Sequence, residues 1–532
     1  MVNLETASLP RKLFLFYFFD LGMWAGDGIL LSLQKITYML DAVCHNTKLF
    51  IDNMPKKQRK NYGQFFTSKE TARFMASLFN LPKERNDIYI LDPGAGSGIL
   101  SVALLERIAN EGIKSRIHLC CYENDANILE LLKSNLKLVK DKGVITLEYT
   151  INNTNYILSQ KDDFNEGLFK NENAEKYDLI IGNPPYLKIS KDAPEAQAMP
   201  AICYGAPNLY FLFSAMSIFN LKMSGEMVYI IPRSWTSGFY FSRFRKYLLK
   251  ETTIDSIHLF ESRKDVFDDE NVLQETMIIK LIKSSEKKDI MVSKSQSNRD
   301  FENLTSIKVP YGIIVSKTND YIYLVTEKKE VESLKKISQF DCTLPKLGLK
   351  MKTGLVVDFR ARDMIRDRFE EGAIPLFYSK HIRDGKVVFP TGEDNEYIET
   401  TRNGYRQKNS NYLFVKRFTS KEEHRRLQSG IYLKEFLPDY EYVSTQNKIN
   451  FIDGLKELSK CVVYGLFVLF NSSLYDMYYR ILNGSTQVNS TEINEMPIPS
   501  MNIIEKMGRQ LLKSDNLSVG TCDNILNQFI YE

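Results

Sequence analysis

The stretch Ile88-Tyr-Ile-Leu-Asp-Pro-Gly-Ala-Gly-Ser-Gly98 constrains this chain more than any other. Ile88–Asp92 is short, apolar and rich in β-formers, which predicts a buried strand. Gly94, Gly96 and Gly98 follow as a tight turn, and Ile99–Ile108 carries the apolar spacing of a helix. Strand, glycine turn and helix open a doubly wound α/β domain. The spacing is not the G-x-G-x-x-G of a dinucleotide fold, and Asp92 stands just before the glycines. A carboxylate there suits a positively charged amine better than a pyrophosphate. The next strand, Ile117–Glu123, ends in Glu123, near the offset at which such folds grip a ribose diol.

A second strand-to-loop transition carries different chemistry. Leu179–Ile181 is apolar and β-branched, Gly182 breaks it, and Asn183-Pro184-Pro185-Tyr186 forms the loop beyond. Proline fixes its own φ and holds the residue before it extended, so two in succession make a stiff support. The loop then offers two fixed acceptors, the Asn183 side-chain oxygen and the Pro184 carbonyl, beside the ring of Tyr186. Two acceptors and a flat ring suit a planar heterocycle bearing an exocyclic amine. Such an amine shares its lone pair with the ring and is a poor nucleophile. Acceptors on both hydrogens favour a tetrahedral nitrogen and release the lone pair, which helps most where they fit the transition state better than the flat ground state. A base stacked on an aromatic side chain gains roughly 1–3 kcal/mol. Read alone, the same four residues are equally a proline turn after a strand.

Other features gather around these two. In Asn61–Met75, Thr67 or Ser68 predicts the N-cap of a helix with the stripe Phe74, Met75, Leu78 and Phe79. A helix N-terminus there is a ready carboxylate site. Asp163-Phe164 lies between a third strand region, Thr146–Ile157, and the Asn-Pro-Pro-Tyr strand. It offers a carboxylate to an amine and a ring to a base, or is a solvated acid in a charged loop. Further strands are expected at Met227–Pro232 and at the end of Val266–Lys280. Net charge is only +4 over 532 residues, so any basic surface is local. Seven cysteines without a CxxC pair or Cys/His spacing argue for a reducing compartment and against disulfides or a metal site. The apolar run Leu13–Phe19 is interrupted by Asp20 and Asp27, too soon for a membrane span.

In order, Gly-Gln-Phe-Phe-Thr67, Asp92-Pro-Gly-Ala-Gly-Ser-Gly98, Glu123, Asp163-Phe164 and Asn183-Pro-Pro-Tyr186 resemble the motif series of S-adenosylmethionine-dependent adenine-N6 DNA methyltransferases, in gamma-class order. The resemblance implies a Rossmann-like domain with a mostly parallel seven-stranded sheet. It implies Thr67 at the methionine carboxylate and Asp92 with Gly94 at the methionine moiety, within the loop that Gly96 and Gly98 complete. It implies Glu123 on the ribose, Asp163 and Phe164 on the cofactor's adenine, and Phe213, from Asn208–Phe213, packed on the cofactor. Asn183, Pro184, Pro185 and Tyr186 become the catalytic loop. Phe267 is implied opposite Tyr186, sandwiching a target base that must leave the duplex to be reached.

Beyond Leu324 short strands predominate, and basic residues alternate with aromatics and amides, as in Lys346–Arg360 and Tyr412–Arg426. Such side chains serve phosphate and base-edge contacts, although charged strands are often merely solvated. Gly465–Arg480 predicts one amphipathic helix, followed by Gly484–Asn489 and Pro497-Ile-Pro499. With Lys416-Arg417-Phe418 and Thr353-Gly354, this tail resembles the BsuBI/PstI-type modification methylases of restriction systems. Gln487 and Asn489 either face DNA or order the loop after that helix. The expected domains are residues 1–58, an N-terminal helical segment; 59–325, the catalytic domain; and 326–532, an α+β target-recognition domain. The resemblance further implies double-stranded DNA as partner, a separate restriction endonuclease acting on the same site, no membrane, and a place in the prokaryotic cytoplasm at the nucleoid. The same Asn-Pro-Pro-Tyr loop also serves glutamine-N5 protein methylases and RNA adenine methylases, which usually lack so large a tail.

Overall fold

Apolar residues at Ile88, Ile90 and Leu91 bury the strand Asp87–Asp92 (β1) at the centre of a sheet. The computed structural model describes residues 39–53, 66–165, 176–261, 275–298, 300–316, 318–419, 423–482 and 487–530. The chain divides into two compact units, residues 1–236 with 240–320, and residues 237–239 with 321–532.

In the first unit, β1 is joined by β2 (Arg116–Tyr122), β3 (Leu147–Asn152), β4 (Tyr177–Gly182), β5 (Leu221–Pro232), β6 (Thr253–Phe260), β7 (Thr276–Ile282), β8 (Ile290–Ser295) and β9 (Thr305–Val309). Their spatial order is β3-β2-β1-β4-β5-β7-β6-β8-β9. Strands β1 to β5 pair in parallel, and β7 runs antiparallel to both β5 and β6. This is a doubly wound, parallel-rich α/β sheet. The expected seven strands are the first seven in this order; β8 and β9 extend the sheet to nine through the polar stretch after residue 284, whose half-buried edge strands lack the apolar run that marks the centre.

Helices α1 (Met39–Asn53), α2 (Lys69–Ser77), α3 (Ile99–Asn110), α4 (Ala126–Asp141), α5 (Leu209–Asn220) and α6 (Ser242–Glu251) flank the sheet. Three of them share one buried carboxylate. Glu106 on α3 accepts from the Leu40 N–H of α1 at 2.9 Å and pairs with Arg73 of α2 at 3.0 Å. The described part of the N-terminal segment is thus packed into the first unit. Among the described residues no helix is long and apolar enough to cross a membrane; Leu13–Phe19 lies outside them.

In the second unit, a six-stranded sheet runs, in spatial order, Leu349–Thr353, Ile449–Gly454, Tyr412–Lys416, Ser429–Tyr432, Lys386–Val387 and Ile382–Arg383. A five-stranded sheet runs Ile365–Arg366, Tyr397–Glu399, Ala373–Phe377, Tyr442–Thr445 and Gln407–Lys408. The single helix expected over Gly465–Arg480 is two, α7 (Lys460–Asn471) and α8 (Ser473–Leu482). Ser472 is extended, with φ −76° and ψ 152°, and its hydroxyl bonds the Leu469 carbonyl and receives the Tyr475 N–H, which ends one helix and starts the next. Helices α9 (Ser490–Asn494), α10 (Met501–Ser514) and α11 (Val519–Asn527) follow.

Candidate active site

Ligands of open α/β sheets bind beyond the carboxyl ends of the strands, at the point where strand order reverses. Here the order runs outward from β1 to β2 and β3 on one side, and from β4 to β5 on the other, so the reversal falls between β1 and β4. Ile90 pairs with Leu179 and Leu91 with Ile180, so the two strands run out side by side at Asp92 and Gly182. The glycine loop and the Asn-Pro-Pro-Tyr loop leave from that one point.

On the β1 side, Gly96 and Gly98 take φ +55° and +87°, values an L side chain resists, and Gly98 caps α3. The Ala95 N–H donates to the Tyr122 carbonyl at 3.0 Å, which ties the loop to the end of β2. Asp92 is fully buried. Its Oδ2 accepts from Ser101 Oγ at 2.7 Å, while Oδ1 has no hydrogen-bond partner. Burial pushes the carboxyl up to about 7, against smaller relief from Ser101 and the Gly94 N–H. A buried carboxylate with one oxygen unsatisfied calls for a cationic or N–H-bearing ligand. Glu123 stands next to it. Its Oε2 accepts from Gly96 N–H at 2.9 Å and its Oε1 from Asp125 N–H at 2.8 Å. Burial raises its pKa, and these two amides oppose the rise. Each oxygen keeps a lone pair for a diol. Phe213, on α5, lies at van der Waals distance from the position a Gly94 Cβ would take, and its ring is 5.5 Å from that of Tyr156.

On the β4 side, Pro184 and Tyr186 are buried while Asn183 and Pro185 are partly exposed. Asn183 Nδ2 donates to Thr67 Oγ1 at 3.2 Å, which turns the amide oxygen to the other branch of the side chain. Thr67 is therefore joined to the catalytic-loop candidate directly, and Ser68 is the cap of α2, accepting from Thr71 N–H. The Tyr186 hydroxyl donates to the Ile230 carbonyl of β5 at 3.0 Å, and Tyr210 meets the ring edge-on at 6.2 Å. Burial pushes the Tyr186 phenol well up, so it is a neutral anchor rather than a base.

Asp163 and Phe164 do not join this group. They sit in the short helix Lys161–Asn165, where the Phe164 ring packs edge-on to Phe219 and Tyr247, at 5.5 and 6.0 Å. Phe219 is in the last turn of α5, which runs directly into the first residue of β5, and Asp163 acts electrostatically on Lys176, just before β4. Both partners mark the amino end of the sheet. The reason is that β3 ends at Asn152, ahead of the expected Ile157, and the chain then turns down the sheet as helix from Tyr156. The residues that follow β3 at the carboxyl end are Asn153, Thr154 and Asn155, next to Glu123, whose N–H donates to the Asn152 carbonyl at 3.1 Å. Strand-end position, rather than an acid beside an aromatic, is the signal that finds them. Phe267 lies outside the described residues.

Known proteins match this arrangement in sequence. Residues 109–267 match the family described as Eco57I restriction-modification methylase. The chain is 34% identical to the type II methyltransferase M.PstI of Providencia stuartii over 88% of its own length and 93% of the relative's. It is also 34% identical to M.BsuBI of Bacillus subtilis over 89% and 95%. Among solved structures, the type IIL restriction-modification enzyme MmeI in complex with DNA aligns over 95% of this chain and 75% of that one, with 12% identity and a TM-score of 0.49. With a third of its residues shared along nearly the whole of both relatives, and the loops at the reversal point intact, the chain belongs to the type II methyltransferases of restriction-modification systems.

Proposed function

We propose that this protein transfers a methyl group from S-adenosylmethionine to N6 of an adenine turned out of a short duplex recognition sequence. The observation that carries the reading is the pairing of the Asn183–Tyr186 loop with the Asp92–Gly98 loop across β1 and β4. The residues on the β1 side suit the proposed cofactor. Asp92, with its unsatisfied buried oxygen, would take the ammonium of the methionine part, Glu123 the ribose diol, and Phe213 a flat or apolar face. Thr67 is held to Asn183 and would stand between the methionine end and the reacting amine. When bound, the cofactor supplies a methyl group on positively charged sulfur.

The remaining chemistry belongs to the Asn-Pro-Pro-Tyr loop. The Asn183 oxygen and the Pro184 carbonyl would each accept one hydrogen of the adenine amine, drawing the nitrogen toward tetrahedral geometry. Tyr186, pinned through its hydroxyl to Ile230, would hold the base in plane. The same two acceptors would hold the amine while it gains the methyl group, and its surplus proton would pass to solvent once the nitrogen has become positive. No strong base is required, consistent with the absence of histidine from these two loops. Methylated sites would be shielded from a restriction endonuclease acting on the same sequence, the relation that restriction-modification membership supports.

Two measurements test the reading. Sequencing of DNA from a host expressing the protein should show N6-methyladenine at one short motif; N4-methylcytosine, or methylglutamine on a protein with DNA unmarked, would overturn it. Asn183→Ala should lower methyl transfer by roughly a hundredfold or more while cofactor affinity stays near wild type.

A further inference from the structure

Three buried side chains from three elements are joined behind the glycine loop. Asp92 ends β1, Ser101 lies in the first turn of α3, and Cys121 belongs to β2. Ser101 Oγ donates to Asp92 Oδ2 at 2.7 Å and lies 3.8 Å from Cys121 Sγ. A hydroxyl has one proton to give. It goes to the carboxylate, so the thiol is the donor in the contact with Cys121. Burial, with Asp92 adding to it, holds the Cys121 thiol well above its ordinary range, so it keeps the proton it donates. A helical serine commonly turns its hydroxyl back to the carbonyl four residues earlier. Here that carbonyl, of Ser97, accepts from Asn135 Nδ2 at 2.9 Å. The Ser101 hydroxyl crosses instead to the end of β1.

This contact gives the two oxygens of Asp92 different work. Oδ2 is occupied by the hydroxyl, while Oδ1, equally buried, has no hydrogen-bond partner. An ionised carboxylate accepts through both oxygens, whereas protonation turns one of them into a donor. A cation therefore needs the ionised form. Burial disfavours that form most; against it the Ser101 hydroxyl acts most strongly, ahead of the Gly94 N–H, and Glu123 sides with burial. The side chain that does most to keep Asp92 ionised thus lies outside the glycine turn, nine residues further on.

We propose that Ser101 is a positioning residue of the cofactor site, whose hydroxyl fixes Asp92 Oδ2 and leaves an ionised Oδ1 to take the ammonium of the methionine part. Ser101 acts through Asp92, with Cys121 holding its hydroxyl from behind. Such a donor strengthens where the carboxylate is charged, and 2.7 Å is the length of a hydroxyl bond to a charged oxygen. The inference rests on the reading of the chain as an S-adenosylmethionine-dependent enzyme.

Titration of the full chain with S-adenosylmethionine at pH 6 and pH 8, wild type beside Ser101→Ala, tests it. Losing a hydroxyl that favours the charged carboxylate should move the ionisation of Asp92, at about 7 in the wild type, up by about one pH unit. Affinity should then fall about tenfold at pH 6 and only about twofold at pH 8. The other titratable groups facing Asp92 are Glu123, Cys121 and Tyr229 of β5. Burial raises the thiol and the phenol, so both stay protonated in this range. Glu123 and the cofactor amine titrate alike with either protein, so neither alters the ratio of affinities. Alanine suits a helix, and the variant should melt near the wild type. An equal loss at both pH values would make Ser101 a packing residue, and an unaltered affinity would leave its hydroxyl without effect; either result overturns the inference. A wild-type chain that binds no S-adenosylmethionine at either pH would overturn the underlying reading instead.

Discussion

The hydrogen bond from Asn183 to Thr67 joins two residues 116 positions apart and gives the amide of the proposed catalytic loop a fixed direction. Thr67→Val keeps the shape but removes this acceptor. Methyl transfer is expected to fall about tenfold in kcat with little change in KM for DNA, and Thr67→Ser should restore it; failure of the serine variant would show that the methyl group, not the hydroxyl, matters. Asp92 makes a second prediction through pH. Burial holds its carboxyl at about 7 in the folded chain, against 3.8 ordinarily, so the group is neutral below pH 7 and charged above it. A cationic ligand prefers the charged form, so cofactor affinity should rise as pH climbs through 7 and then level off. The folded state alone has the opposite preference. Because the raised pKa penalises folding once the unfolded carboxyl ionises, Asp92→Asn should stabilise the empty protein at pH 8, by at most about 4 kcal/mol. The gain should shrink toward pH 4 and be matched by loss of cofactor binding. Thermal melting with and without cofactor at both pH values checks this. Both residues were legible in the sequence because a turn or a proline pair fixes where they stand. Asp163 and Phe164 were chosen for their side-chain types and for lying between the third strand region and the Asn-Pro-Pro-Tyr strand, an interval too long to fix which end of the sheet they occupy.

At the scale of elements, helices α7 and α10 of the second unit cross at Gly465 and Gly508. A Cβ at Gly508 would meet the Cys461 carbonyl, and one at Gly465 the Ile504 carbonyl, so backbone presses directly on backbone. Neither side can yield as a flexible side chain would. Gly508→Ala should therefore destabilise the second unit by about 3 kcal/mol or more, abolishing sequence-specific DNA binding before cofactor binding, as followed by two-ligand titration on warming. Loss of both at one temperature would show that the units unfold together. The sequence marks these glycines only as costly residues in a helix; which faces meet is a tertiary fact. The same limit explains the other differences. The apolar centre of the first sheet, β1, β2, β4 and β5, was readable from hydrophobic runs. Strands β8 and β9 were readable only as unplaced surface strands and loops from Ser284 to about Thr305, because a half-buried strand shares its composition with a loop. The break at Ser472 escaped notice because α7 and α8 are both apolar enough to continue one stripe.

For the whole molecule, 70 basic side chains stand against 66 acidic ones, so there is no long-range field strong enough to hold a polyanion unaided. DNA affinity is then expected to come from local clusters of cations, whose phosphate contacts release counterions. The proposed cofactor site works differently. Asp92 and Glu123 are buried, their polar contacts are short and internal, and mobile ions screen such pairs poorly. One molecule should therefore show two salt responses. Between roughly 50 and 200 mM salt, affinity for the cognate duplex should fall about tenfold or more, linearly on a log–log plot, while cofactor affinity changes less than about twofold. Calorimetry on the full chain, one ligand at a time, measures both. A duplex affinity as indifferent to salt as the cofactor's would mean that few phosphates are touched.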